Sequence, residues 1–248
     1  MSVLVVDIGN TRVKWARFAD GRLGKQRAAA HAHWGEADFV KQVLGRARGI
    51  ERVMVASVGG ARLDRLLAAA TRRVSGVAPQ FVATTRRLGG VTTAYAQPWR
   101  LGVDRFVAAI GAHRLAARRA VCVVDIGTAM TIDLIDVEGR HLGGAIIPGP
   151  HLMVDSLLKS TSGIVHRSQG RGGGRSFFAR DTRAAIEQGA RYAVASVVDR
   201  AVAEARRTLG ASPLVLLTGG AAPAIHPLIR SAHSSVPDLV LRGLVALI

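Results

Sequence analysis

The chain has 248 residues, 49% of them hydrophobic and 21% charged, with 34 Lys and Arg against 17 Asp and Glu for a formal net charge of +17. That hydrophobic content excludes a disordered chain, and the single cysteine, Cys122, excludes an internal disulfide and a cysteine-based zinc site. The charge fits anionic partners such as nucleotides, polyphosphates, nucleic acid or acidic lipid, but the basic residues are spread out rather than gathered in one block, and with 4% aromatics no base-stacking platform interleaves with them, so Arg scattered over solvated faces explains it better.

Val3 to Val6 is an apolar, β-branched run ending on Asp7-Ile8-Gly9, the pattern of a buried strand feeding a tight turn. Arg12 to Ala19 alternates, with Val13, Trp15 and Phe18 between polar neighbours, and reads as a second strand. Glu36 to Arg48 has helical spacing, and Arg52 to Val58 is a strand ending at Gly59-Gly60. Leu63 to Val74 is helical, with Leu63, Leu66, Leu67 and Ala70 on one stripe. Gln80 to Ala83 is a short strand, and Asp104 to Ala117 an alanine-rich helix.

Val121 to Val124 repeats the opening strand, and Cys122 within it reads as a small buried hydrophobe. Met130 to Val137 alternates, Glu138-Gly139 turns, and His141 to Ile147 returns. Pro148-Gly149-Pro150 breaks the chain before a helix over His151 to Lys159. Gln169 to Arg175, rich in Gly and Arg, reads as a flexible surface loop. Thr182 to Leu209 is one long helix, and Leu214 to Leu217 a strand running into Thr218-Gly219-Gly220. His31, His33 and His151 have no metal-site spacing and read as surface or packing residues. No run approaches the roughly 18 apolar residues of a spanning helix, and the first residues lack a basic, then apolar leader, so a cytoplasmic protein without membrane contact is expected.

The internal repeat is the informative feature. Residues 3–9 and 121–127 are identical at six of seven positions, 118 residues apart. Two similar α/β halves are therefore expected, 1–118 and 119–248. In the first copy, Gly9 lets the backbone approach a phosphate, while Asn10, Thr11 and the backbone N–H groups around Arg12 and Val13 can donate to its oxygens. Asp7 can hold Mg²⁺, and Lys14 adds positive charge. The second copy, Asp125-Ile126-Gly127-Thr128, offers a carboxylate, a permissive Gly and a hydroxyl. Each turn alone also fits an ordinary β-hairpin. Two of them facing each other across a cleft would clamp the phosphates of one ATP, and positioning with charge neutralisation is most of what phosphoryl transfer needs. Gly102-Val103-Asp104-Arg105 opens a helix: Asp104 could take the proton of an attacking hydroxyl and Arg105 fix an anionic group, although a helix N-cap followed by Arg fits as well.

In order along the chain, Asp7-Ile8-Gly9-Asn10-Thr11, Gly102-Val103-Asp104-Arg105, Asp125-Ile126-Gly127-Thr128-Ala129 and Gly143-Gly144 with Pro148-Gly149 resemble the signature segments of the type III pantothenate kinases. The resemblance implies duplicated actin-like ATPase (ribonuclease H-like) domains with a central cleft, and a homodimer that phosphorylates pantothenate with ATP, the first step to coenzyme A. It implies Asp104 as general base and Asp7, Ile8, Gly9, Asn10, Thr11, Arg12, Val13, Lys14 and Thr128 as ATP contacts. Tyr95, Gly102, Val103, Asp104 and Arg105 become pantothenate contacts. Asp125 becomes the ligand of a monovalent cation (K⁺ or NH₄⁺) used beside Mg²⁺, and Thr182 the residue that completes the neighbouring subunit's site. Met130 and the Gly/Arg-rich segment Ile164 to Arg175 depart from the family pattern. Two rival readings remain: another actin-like small-molecule kinase or phosphatase, and a non-enzymatic transcription accessory protein of the same fold that uses the +17 charge.

Overall fold

The computed structural model describes residues 2–45, 49–169, 172–174 and 176–248. Arg46 to Arg48, the end of the helix expected from Glu36, lie outside the described residues, as do Gly170, Arg171 and Arg175 of the expected loop. Contacts divide the chain into two compact units, Met1–Arg118 with Glu138–His141 and Asp238–Ile248, and Arg119–Val137 with Leu142–Pro237.

The first unit is built on β1 (Ser2–Ile8), buried along its whole length as an unbroken apolar run requires. β2 (Arg12–Ala19) returns antiparallel, setting Lys14 opposite Asp7. β3 (Arg22–Leu23) and β4 (Arg27–Ala30) both pair with β2. α1 (Glu36–Asp38) opens where Asp38 accepts the Gly35 N–H at 2.8 Å, and it continues as a π-helical stretch, Phe39–Leu44. The helical spacing is thus met with a wider turn, and Phe39, Val43 and Leu44 of that stretch are buried. β5 (Arg52–Ser57) runs parallel to β1, α2 (Ala61–Ser75) follows it, and β6 (Gln80–Phe81) extends the sheet, whose order is β3-β2-β1-β5-β6 with β4 beside β2. The stripe expected on α2 buries Leu63, Leu67 and Ala70 against β1 residues such as Val6 and Ile8.

The same unit holds β7 (Arg87–Leu88), β8 (Val91–Thr93) and α3 (Val103–Leu115). The C-terminal helix, Leu239–Val245, lies against α3. Glycines allow this crossing. A Cβ on Gly111 would stand 2.6 Å from the Leu239 carbonyl oxygen, and one on Gly243 would strike the Val107 carbonyl. The two helix backbones therefore touch without side chains between them.

The second unit repeats the plan. β9 (Val121–Ile126) is antiparallel to β10 (Ala129–Ile135) and parallel to β12 (Leu214–Thr218), as β1 is to β2 and β5. β11 (Arg140–Pro148) pairs its first residues, Arg140 and His141, with Thr92 and Thr93 in the first unit's share of the chain. Its remainder lies beside β10, giving the order β13-β12-β9-β10-β11 with β13 (Ser234–Ser235) at the edge. α4 (Pro150–Ser160), α5 (Ser162–Arg167), the long α6 (Thr182–Leu209) and α7 (Ala222–Ile225) complete the unit. Val194, Val198 and Val202 of α6 meet Val124, Ile126 and Met130 in its core. Cys122 is buried there, and burial, with the Asp133 carboxylate second, pushes its thiol up to about 12. It is an inert core residue, as its apolar surroundings imply. Among the described residues no helix is long and apolar enough to cross a membrane.

Gly243→Ala forces the C-terminal helix off α3. Overpacking of this kind costs about 1–3 kcal/mol, and each kcal/mol lowers the midpoint of a chain of this size by roughly 2–4 °C. A thermal melt of the variant reads the loss directly, and an unchanged midpoint would show that the two helices do not need backbone contact.

Candidate functional site

In the first unit, the β1–β2 connection is Gly9-Asn10-Thr11-Arg12, closed by the Gly9 N–H donating to the Arg12 carbonyl at 3.0 Å. Asn10, Thr11 and Arg12 are exposed, whereas Ile8 and Val13 are buried beneath them. Of the eight residues expected to bind phosphate, Ile8 and Val13 therefore act by anchoring the turn. Asp7 is 4% exposed, and the β1–β2 register brings Lys14 Nζ to 3.4 Å from its Oδ2. Asp7 and Lys14 form an ion pair at the base of the turn, a closer association than their separate roles as Mg²⁺ ligand and phosphate cation foresee. His31 closes the turn from the side: its Nε2 donates to the Gly9 carbonyl at 2.8 Å, and its backbone N–H donates to the Thr11 carbonyl at 3.3 Å. A surface or packing role was expected for His31, and it is buried. Its grip on the β1–β2 turn had no sequence signal, because the contact depends on β4 pairing with β2.

The same unit brings Tyr95 and Arg105 together. Arg105, buried in the first turn of α3, reaches the Tyr95 hydroxyl at 3.3 Å and lies 6.0 Å from that ring's centre. Tyr95 also meets His141, with ring centres 5.9 Å apart. Gly102 is the N-cap of α3, so Val103 and Asp104 are its first helical residues, and the Arg105 N–H donates to Asp104 Oδ1 at 2.8 Å. Gly102 leaves the room this carboxylate needs, since a Cβ there would stand 2.7 Å from Asp104 Oδ1. The N-cap reading of Asp104 is thereby corrected: Gly102 caps, and Asp104 lies within the first turn, its side chain accepting the Arg105 N–H.

Arg86 holds the Tyr95 segment in place. Its guanidinium donates to the carbonyls of Thr93 at 3.3 Å, Tyr95 at 2.9 Å and Ala96 at 2.9 Å. It stands in the scattered Arg86-Arg87 pair, and nothing in local spacing marks it out from its neighbour.

In the second unit, the β9–β10 turn is one residue shorter: Asp125 faces Thr131 and Ile126 faces Met130, where Asp7 faces Lys14 and Ile8 faces Val13. Gly127 donates to the Ala129 carbonyl at 3.0 Å, and Gly149 of the Pro-Gly-Pro segment donates to the Thr128 carbonyl at 2.9 Å. Asp125 is half-buried and Thr128 exposed. Gly219 lies against them with φ +101, where a Cβ would stand 2.5 Å from Asp125 Oδ1, so the Thr218-Gly219-Gly220 turn presses its backbone onto the end of β9. Thr182 stands on another element, the first turn of α6, behind an Asp181 cap that accepts the Ala184 N–H at 2.8 Å. Beside it, Glu187 accepts from Arg183 at 2.7 Å and from the Gly173 N–H at 3.2 Å, while Gln188 donates to the Gly174 carbonyl at 2.5 Å. The hydrogen bond from Arg183 is the main cause that keeps the Glu187 carboxyl below the usual range. Gly172–Gly174, read as a flexible surface loop, is thus docked on α6.

Among the described residues no three His, Cys, Asp or Glu side chains gather as a metal-holding group. A cation at either turn would have one carboxylate, Asp7 or Asp125, and would take its other ligands from water, backbone or phosphate. That donor set suits Mg²⁺ travelling with a nucleotide.

The family model described as type III pantothenate kinase matches residues 3–204. A type III pantothenate kinase of Nitrosococcus oceani is 35% identical over 250 residues, covering 98% of this chain and 92% of that protein. One from Stenotrophomonas maltophilia is 37% identical over 246 residues, covering 98% and 96%. Among solved structures, a ROK family glucokinase from Streptomyces griseus matches with a TM-score of 0.53 at 14% identity, covering 98% of each chain. Component A of (R)-2-hydroxyglutaryl-CoA dehydratase from Acidaminococcus fermentans matches at 0.54 and 12%, covering 100% and 96%. At these identities the likeness shows the fold alone, and the chain has the duplicated actin-like ATPase fold that the resemblance implies.

Arg86→Ala releases three carbonyls at once. Amide exchange over residues 94–97 should rise about tenfold for each 1.4 kcal/mol of lost closure, with exchange in β1 unchanged, as hydrogen–deuterium mass spectrometry would show.

Proposed function

The chain belongs to the type III pantothenate kinase family and is an ATP-dependent phosphotransferase acting on pantothenate, the first step of coenzyme A biosynthesis; we propose that Asp104 is its general base. The observation that carries this reading is the first turn of α3, where Gly102 makes room for the Asp104 carboxylate and Arg105 grips Tyr95. Asp104 takes the proton of the pantothenate 4′-hydroxyl as its oxygen attacks the γ-phosphorus. The new P–O bond forms in line with the bond to the β–γ bridging oxygen, which breaks and leaves with ADP. Arg105, oriented by Tyr95, offers its guanidinium to the pantothenate carboxylate. Asn10 to Arg12 and Thr128 contribute N–H and O–H donors to the ATP phosphates, Gly9 closes the turn that presents them, and Lys14 adds charge at the base of the first turn.

Mg²⁺ and a monovalent cation (K⁺ or NH₄⁺), when bound, offset phosphate charge. Asp7 would hold the first with the phosphates, and Asp125 the second. A homodimer in which Thr182 completes the partner's substrate site is supported by the surface next to it. Phe177 and Phe178 are 53% and 83% exposed, with Phe177 against Tyr192 of α6, and such a patch favours a partner surface.

Asp104→Asn should lower kcat by about 10²–10⁴ and leave nucleotide affinity intact in a coupled assay with pantothenate; full turnover would remove Asp104 from the role of base. Gly102→Ala tests the same carboxylate without touching it. Gly102 has φ −52, open to any residue, so the melting temperature should hold while the added methyl pushes Asp104 and lowers kcat. Equal kcat in this variant would mean that the carboxylate position is unimportant.

A further inference from the structure

The segment between α7 and β13 carries two histidines that phosphoryl transfer does not use. His226 opens a 3-10 turn, His226–Leu228, and His233 directly precedes β13. Their rings meet edge to face with centres 4.7 Å apart, and His226 Nδ1 lies 2.5 Å from His233 Nε2. The other nitrogen of His233, Nδ1, lies 2.7 Å from the Ser231 carbonyl. A carbonyl only accepts, so Nδ1 carries the proton, and His233 Nε2 points its lone pair at His226. The proton between the two rings must then come from His226 Nδ1. If that proton is exchanged for a cation, two imidazole lone pairs converge on one point.

We propose that His226 and His233 form a two-histidine site for a divalent transition metal ion. Imidazole suits Cu²⁺, Ni²⁺ and Zn²⁺, and a ligating histidine is commonly fixed by donating its other N–H to a carbonyl, as His233 does to Ser231. That carbonyl is itself held. Asp199 of α6 accepts the backbone N–H of Arg230 at 3.1 Å and of Ser231 at 2.8 Å. Burial pushes the Asp199 carboxyl up, but the Ser231 and Arg230 hydrogen bonds outweigh it and keep the group below the usual range. The carboxylate therefore stays charged near neutral pH and partly offsets Arg230, the nearest cation along the segment. Two metal–nitrogen bonds of about 2.0–2.1 Å at a tetrahedral angle put the nitrogens roughly 3.3 Å apart. The pair must open by less than an ångström, which the exposed His226 ring supplies by turning outward. Among the described residues no third side chain of metal-binding type joins them, so the ion keeps open positions for water.

The test is titration of the full, nucleotide-free chain with Cu²⁺, followed by calorimetry and electron paramagnetic resonance. One equivalent should bind with the hyperfine pattern of two nitrogen ligands. His226→Ala and His233→Ala should each weaken it at least tenfold, and moving from pH 7.5 to pH 5.5 should weaken it further, because the ligands must be unprotonated. His226→Asn, on the exposed ring, gives the same reading should loss of His233 disturb the Ser231 turn. Wild-type affinity in the His226 variants, or a spectrum with fewer than two nitrogens, would overturn the site.

Discussion

Both units are built on one device: a carboxylate near the end of a buried central strand, held by an antiparallel neighbour whose register decides what faces it. Because both faces of β1 and β9 are covered, neither strand can slip by a residue without exposing its apolar run. The register therefore determines the electrostatics. Asp7 faces Lys14 and is paired; Asp125 faces Thr131 across a turn one residue shorter and meets the Gly219 backbone. The same Asp-Ile-Gly thus arrives in two environments. The pair at Asp7 suits a site that must tolerate triphosphate charge without collapsing onto it. The hydroxyl-rich, half-exposed setting of Asp125 suits a weakly held cation, in keeping with the separate roles proposed for them.

Side chains that donate to backbone carbonyls help the motif residues' own hydrogen bonds to position the first turn and the Tyr95 segment. His31 does this for Gly9 and Arg86 for the Tyr95 segment. Carbonyls left unpaired in a turn that is half out of water are costly, and a planar fork such as guanidinium can satisfy several at once. A phosphate turn also has to keep its own N–H groups for the ligand. Satisfying the Gly9 and Thr11 carbonyls from His31 spares the turn's own N–H groups that task.

The fold was largely legible because its signals are local and repeated. The 118-residue repeat announced two units, and periodicity placed most of the larger elements, including the full extent of α6. What escaped depends on tertiary pairing. β4, β7 and β8 are too short for alternation to register and exist because a neighbour supplies the ladder. The C-terminal helix has an apolar run but no marker that sends it back to α3; Gly111 and Gly243 make sense only once the crossing is known. At the site, motif residues were visible because chemistry needs those types in that order. His31, Arg86 and His141 were not, since each acts on residues far from it in sequence and any donor or ring of the right reach would do.

The arginine surplus can be read in the same terms. Arg86, Arg12 and Arg62 donate to carbonyls, Arg62 to that of Trp34 at 2.8 Å, while Arg183, Arg200 and Arg242 pair with acids along their helices. An ion pair cancels charge, but a hydrogen bond to a carbonyl does not. The first group therefore builds structure and leaves its positive field in place. Both substrates of this kinase are anions, so a chain that uses guanidinium to satisfy backbone also surrounds its sites with a potential that draws them in. On this view part of the +17 charge accompanies a way of holding turns.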